Sequence, residues 1–313
     1  MMVKVRHGEL IDILAALGAK LGFLVAEEFE FCPRERSYTP HFDLVWFLEI
    51  PFLGHLRGVL PETPYIYEHK GRFVFPYAIF EITGVDATTK TIQTEIANIA
   101  LARAKYGFIV VPSREERPGQ MHVARARRAL DMVMEFGGWR DICVLGHDDV
   151  LKLGSRDVVI SGPSPRDVIA EKPEKPLPDL VNHLLSRASG NIVLRSEYRP
   201  DTALGYGRQR NLTALQLPRL DYAFTYVLDP EIAAGVDWLL SMVPSAAFYG
   251  SPGVIDLLGI EIERARARKH VAGSIRNLHF YTYLGVVLTN RPDVVQRIID
   301  TYGYSSHVFA LPL

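Results

Sequence analysis

The chain is poor in cysteine: Cys32 and Cys143 are its two, far apart, with no CxxC and no histidine at metal-ligand spacing. A disulfide scaffold and a zinc site are therefore not expected. No run approaches the roughly 18 apolar residues that a membrane span needs. The start, Met1-Met-Val-Lys-Val-Arg-His7, is followed by no signal-peptide core, so the expected compartment is the cytoplasm, with no membrane partner. GxxxxGK[ST] and GxGxxG are absent, which removes support for nucleotide-driven motor chemistry, and no nucleophile elbow for Ser/His/Asp catalysis is recognisable. Charge of one sign is also missing. The net charge of −1 selects no partner, because an acidic cleavage site and a confined phosphate-binding groove can coexist in one neutral protein.

What is present is an ordinary globular composition, 48% hydrophobic and 23% charged, over 313 residues, a length that suits about two domains. The most informative pattern is a repeat. Ala78-Ile-Phe-Glu-Ile-Thr83 precedes an amphipathic helix pattern and Tyr106-Gly-Phe-Ile-Val-Val-Pro112; Gly259-Ile-Glu-Ile-Glu263 precedes another helix-like stretch and Tyr283-Leu-Gly-Val-Val-Leu-Thr289. His41-Phe-Asp-Leu-Val-Trp-Phe-Leu48 pairs with Arg219-Leu-Asp-Tyr-Ala-Phe-Thr-Tyr226, and further matches lie at both ends. Asp43 precedes Glu81 by 38 residues and Asp221 precedes Glu261 by 40. The bland alternative is two unrelated βαβ stretches in one large domain.

Apolar periodicity predicts a helix over 9–20, strands over 22–31, 42–50 and 73–83, a helix over 88–105, a strand over 106–111, a helix over 121–136 and a strand over 141–145. The second half repeats this order, with a helix near 270–282. Prolines and charge without apolar period mark a linker at 161–175 between expected domains at 1–160 and 176–313. Pro33-Arg-Glu-Arg36 and Gly205-Tyr-Gly-Arg-Gln-Arg-Asn211 are loops that could contact a polyanion, the plain reading being solvated surface. His147-Asp-Asp149 reads as a helix start with an aspartate cap rather than as metal ligands.

Asp43 and Glu81 lie inside apolar strands, where an unpaired charge is costly. An aspartate and a glutamate on neighbouring strands can share one hard divalent cation, Mg²⁺ or alternatively Mn²⁺, which lowers the pKa of bound water and clamps a phosphate oxygen. Asp221 with Glu261 repeats the pair; Asp256 is a rival to Asp221 that the repeat disfavours.

These residues resemble the PD-(D/E)XK, restriction-endonuclease-like, nuclease superfamily, in two tandem copies. The resemblance implies an α/β fold of two αβββαβ domains, each a mixed sheet flanked by helices. The family places an acid on the first helix, matched by Glu9 and Asp179, an aspartate on the second strand, matched by Asp43 and Asp221, and an acid-x-lysine on the third, where Glu81 and Glu261 match. Thr83 and Glu263 stand where the lysine would be. Some members carry glutamate at that place, and others move the lysine to the following helix, where Lys90 and Lys269 stand here; the basic run Arg264–His270 is alternatively a phosphate contact. The resemblance implies a metal-dependent endonuclease cutting double-stranded DNA, of restriction or defence type, as a two-domain monomer or a homodimer. Its metal ligands would be Asp43, Glu81, Asp221, Glu261 and Glu263, and Lys90 and Lys269 would join them in catalysis. Glu263 makes the second half the expected stronger centre. The alternative is a nuclease-fold scaffold or nucleic-acid-binding protein without chemistry.

Overall fold

The computed structural model describes residues 6–31, 39–115, 117–137, 141–155, 176–188, 190–200, 217–243, 250–264 and 268–313. The protein is α/β, with two mixed sheets flanked by helices. The chain forms two compact units: Met1–Glu49, Val74–Gly162 and Glu231–Ala247 in the first; Ile50–Phe73, Pro163–Pro230 and Phe248–Leu313 in the second. This differs from a division at one linker. The linker residues 161–175 lie outside the described residues, and each unit takes one segment from the other half of the sequence.

In the first unit α1 (His7–Lys20) leads into β1 (Leu24–Glu30) and β2 (His41–Glu49). After an excursion, β4 (Arg72–Ile82), α3 (Thr89–Ala102), β5 (Tyr106–Val111), α4 (Val123–Gly137), β6 (Asp141–Gly146) and α5 (His147–Gly154) follow. The sheet order is β1-β2-β4-β5-β6, antiparallel from β1 to β4 and parallel from β4 to β6. β4 and β5 are buried almost throughout, which explains their near-continuous apolar sequences. Thr88 caps α3 by accepting from the Thr91 amide at 3.1 Å, and Ile92, Ile96 and Ile99 bury one face of that helix. The indole of Trp46, fully buried, stacks on Phe23 and meets the Phe80 ring at a tilt. Helix α7 (Pro230–Ser241), drawn from the second half, belongs here, where its Gly235 faces Leu21.

In the second unit α6 (Asp179–Leu185), β7 (Ile192–Tyr198), β8 (Leu220–Val227), β9 (Val254–Glu263), α8 (Arg268–Tyr281), β10 (Leu284–Thr289), α9 (Pro292–Thr301) and β11 (Val308–Pro312) repeat the plan. The order β11-β10-β9-β8-β7 has the same directions: β7, β8 and β9 antiparallel, β9, β10 and β11 parallel. Leu220, Ile275, Leu278, Val287, Ile299 and Val308 form its core. The excursion from the first half, α2 (Phe52–Arg57) and β3 (Tyr67–His69), is assigned to this unit, with β3 pairing the start of β4. Here Phe52 packs 5.3 Å from Phe224, the Tyr283 hydroxyl donates to the Tyr65 carbonyl at 2.6 Å, and Thr63 donates to the Ser306 carbonyl at 2.7 Å.

The repeat extends to detail. The register shifts between Trp46 and Phe47 in one unit and between Phe224 and Thr225 in the other, three residues past Asp43 and Asp221 respectively. Gly107 and Gly285 each pack under the helix that precedes their strand, against Ile99 and Leu278. Among the described residues, no helix is long and apolar enough to cross a membrane.

Candidate functional site

In the first unit the site is built where β2 and β4 part. Leu44 still pairs with Phe80, but one residue further the Asp43 carboxylate replaces a strand partner and accepts the Ile82 amide at 2.6 Å. Asp43 opens β2 and Glu81 nearly closes β4, so antiparallel pairing brings both to one sheet edge, at the carboxyl end of the parallel strands β4 and β5. In α/β sheets this is the edge where ligands bind. Glu28 stands opposite Asp43 in the β1–β2 register with φ of 48°, a left-handed conformation that a non-glycine residue seldom adopts. The His7 Nε2 lies 3.7 Å from the Asp43 carboxylate, and the His147 ring bonds the Thr83 backbone. The Thr83 hydroxyl donates to the Val110 carbonyl at 3.3 Å.

The electrostatics follow from packing acids into a partly dry edge. Burial, then the charges of Asp43, Glu95 and Glu28, push the Glu81 carboxyl up to about 9. Burial and the Asp43 charge push Glu95, on α3, up to about 8, and its Oε2 is buried without a hydrogen-bond partner. Asp43 itself is raised by burial, although the Ile82 amide and His7 oppose the shift. Burial lowers the His147 imidazole.

The second unit reproduces the geometry. The Asp221 carboxylate accepts the Ile262 amide at 2.6 Å, and Glu197 stands opposite Asp221 with φ of 51°. Glu197 also pairs with the Arg219 guanidinium at 2.9 Å. Glu261 is pushed up to about 9 by burial, then by Asp221, Glu263 and Glu197. Glu263 accepts the Ser274 hydroxyl at 2.6 Å.

The structure thus gathers Asp43 with Glu81, and Asp221 with Glu261 and Glu263. Lys90 is exposed in the first turn of α3, and its ammonium makes no ion pair among the described residues. Lys269 opens α8, its side chain outside the described residues, as are 265–267 of the basic run and both loops read as polyanion contacts. Glu9 and Asp179 are exposed in the first turns of α1 and α6, and it is His7 that reaches the aspartate from the start of α1. Asp256 pairs with Thr225, five residues before Glu261 on β9, about 16 Å away at strand rise. His147 opens α5, where Asp149 accepts the Gly146 amide at 3.0 Å as a cap.

Sequence reasoning missed Glu28, Glu197, Glu95 and His7, and read His147 as part of a helix start alone. A weak signal existed for the first two, a glutamate followed by an aromatic residue in each first strand, Glu28-Phe29 and Glu197-Tyr198; none marked Glu95, one polar residue among several on its helix.

Among the described residues no three His, Cys, Asp or Glu side chains form a group able to hold a metal ion. A carboxylate pair still fits Mg²⁺ chemistry, because that ion keeps several waters and takes one or two carboxylates plus substrate phosphate. Glu81 and Glu261 must hold protons near neutral pH when no cation balances them, so a hard dication suits both edges. No family model, no curated protein and no solved structure matches the chain.

Proposed function

We propose that the chain is a Mg²⁺-dependent endonuclease that hydrolyses DNA phosphodiesters with two restriction-endonuclease-like αβββαβ units, as the PD-(D/E)XK resemblance implies. The observation that carries this reading is duplication of one constellation: Asp43 bonded to the Ile82 amide beside Glu81, and Asp221 bonded to the Ile262 amide beside Glu261. Both units keep a buried glutamate beside an aspartate, an arrangement that costs stability unless it is used. Asp43 with Glu81, and Asp221 with Glu261, would hold the ion, with Glu263 beside the second pair as a proton acceptor; once bound, the ion would supply an activated water and neutralise charge on the phosphate. The amide bonds at 2.6 Å fix each aspartate, so it has little freedom to lose on binding.

The test is cleavage of supercoiled plasmid and of single-stranded DNA with Mg²⁺, with Mn²⁺ and with EDTA. Metal-dependent conversion to linear product supports the reading, and intact substrate under every metal condition refutes it. A scaffold or binding role without chemistry is the second reading, favoured by Thr83, whose hydroxyl is occupied by the Val110 carbonyl where the family carries lysine.

A further inference from the structure

Aligning the two units on their cores makes Ile92, Ile96 and Ile99 of α3 equivalent to Val271, Ile275 and Leu278 of α8, all buried. On that alignment Glu95 occupies the position of Ser274, and on the strands Thr83 occupies that of Glu263. The second unit shows that these two positions reach one another, because the Ser274 hydroxyl donates to Glu263 at 2.6 Å. In the first unit the acid and the hydroxyl residue have changed places. Glu95 brings its carboxyl in from the helix, with Oε2 buried and without a hydrogen-bond partner, while Thr83 turns to the Val110 carbonyl.

We infer that Glu95 is the third carboxyl of the first site, performing from α3 the role that Glu263 performs from β9. The inference rests on the hydrolase reading of the same edge. In the reaction, a water oxygen bonds to phosphorus as the phosphorus–oxygen bond to the leaving sugar breaks. The water's proton passes to the Glu95 carboxylate and solvent protonates the leaving oxygen. The Glu95 Oε2, buried and without a hydrogen-bond partner, is the oxygen left to accept that proton.

Two measurements on the full chain test this. In a Glu261→Ala background, where the first unit alone would cut, Glu95→Gln should lower plasmid nicking about 100-fold. Thr83→Glu with Glu95→Ser, which copies the second unit's arrangement, should restore nicking to within about tenfold. Nicking unchanged by Glu95→Gln overturns the inference. Thermal melting without metal supplies a readout that needs no catalysis. Thr83→Glu alone crowds a further acid against Asp43, Glu81 and Glu95 and should lower the midpoint by about 3 °C or more, and adding Glu95→Ser should recover most of that loss. Additive midpoints overturn the exchange. If the parent cuts nothing, the hydrolase reading fails by itself, while the melting cycle still decides whether the two positions have traded roles.

Discussion

The two units share what the backbone demands and differ in what chemistry can vary. Both place an aspartate carboxylate on an amide at 2.6 Å, both shift register three residues later, and both hold a glutamate in the left-handed region opposite that aspartate. Where the strands part, an amide loses its partner, so an acceptor is required in either copy. The neighbouring position carries no such obligation. There the first unit has Thr83 with Glu95 and the second has Glu263 with Ser274, and the first brings His7 to its aspartate. A duplicated fold thus keeps the residues that close its sheet and lets the neighbouring acid move between elements.

The harshest test of that parity is joint substitution of Asp43 and Asp221. Alanine at both should abolish cleavage and the calorimetric signal for Mg²⁺, and should cost about 1–3 kcal/mol per unit through the stranded amides. Asparagine keeps an acceptor for each amide, so it should recover folding without recovering cleavage. Next, Glu81→Ala and Glu261→Ala are expected to convert double-strand cleavage into nicking in either case, because Glu95 gives the first unit a third carboxyl that its sequence did not reveal. Loss of all cleavage from one of them alone would make the units unequal. Gly107→Ala and Gly285→Ala probe the shared helix-on-strand packing. A new Cβ would run into the Ile99 Cγ2 methyl in the first, with Ile142 at 3.0 Å beyond it, and would lie 2.7 Å from the Leu278 Cβ in the second, so each should cost about 1–3 kcal/mol in denaturant melts, the second more because a Cβ, unlike a methyl at the end of a side chain, is fixed to the helix backbone.

Smaller effects come from pH. Folded-state values near 9 for Glu81 and Glu261, against 4.5 ordinarily, mean that the folded protein keeps protons which the unfolded chain releases. The stability these groups contribute is complete below about pH 4.5 and is lost as pH rises through about 9. Metal-free melting points should therefore fall between pH 6 and pH 9, roughly the window those values define, and Glu81→Gln with Glu261→Gln should flatten the fall. Least of all, Lys90→Ala should leave cleavage within about twofold, as expected of a surface substitution; a large loss would return the lysine to the first site.

Much of the fold was legible. The helix expected over 88–105 is Thr89–Ala102, and the strands expected at 42–50 and 73–83 are His41–Glu49 and Arg72–Ile82, because long apolar runs and 3.6-residue periodicity leave few alternatives. Helix α2 escaped notice since its six residues are too few to show a period. Helix α7 did carry a signal, Asp229 followed by Pro230 at the first helical position. At the site, Asp43, Glu81, Asp221 and Glu261 were readable as charges inside apolar strands. Glu95 was not, because its burial comes from tertiary packing against the sheet edge rather than from its neighbours in sequence.

The exchanged segments impose an order on synthesis. The first unit includes Glu231–Ala247, so its tenth and last element leaves the ribosome only after most of the second half has been made. Until then Leu21 and its surroundings lack the helix that covers them. The apolar surface around Leu21 must therefore wait uncovered, which ties completion of the first unit to a part of the message that encodes its neighbour.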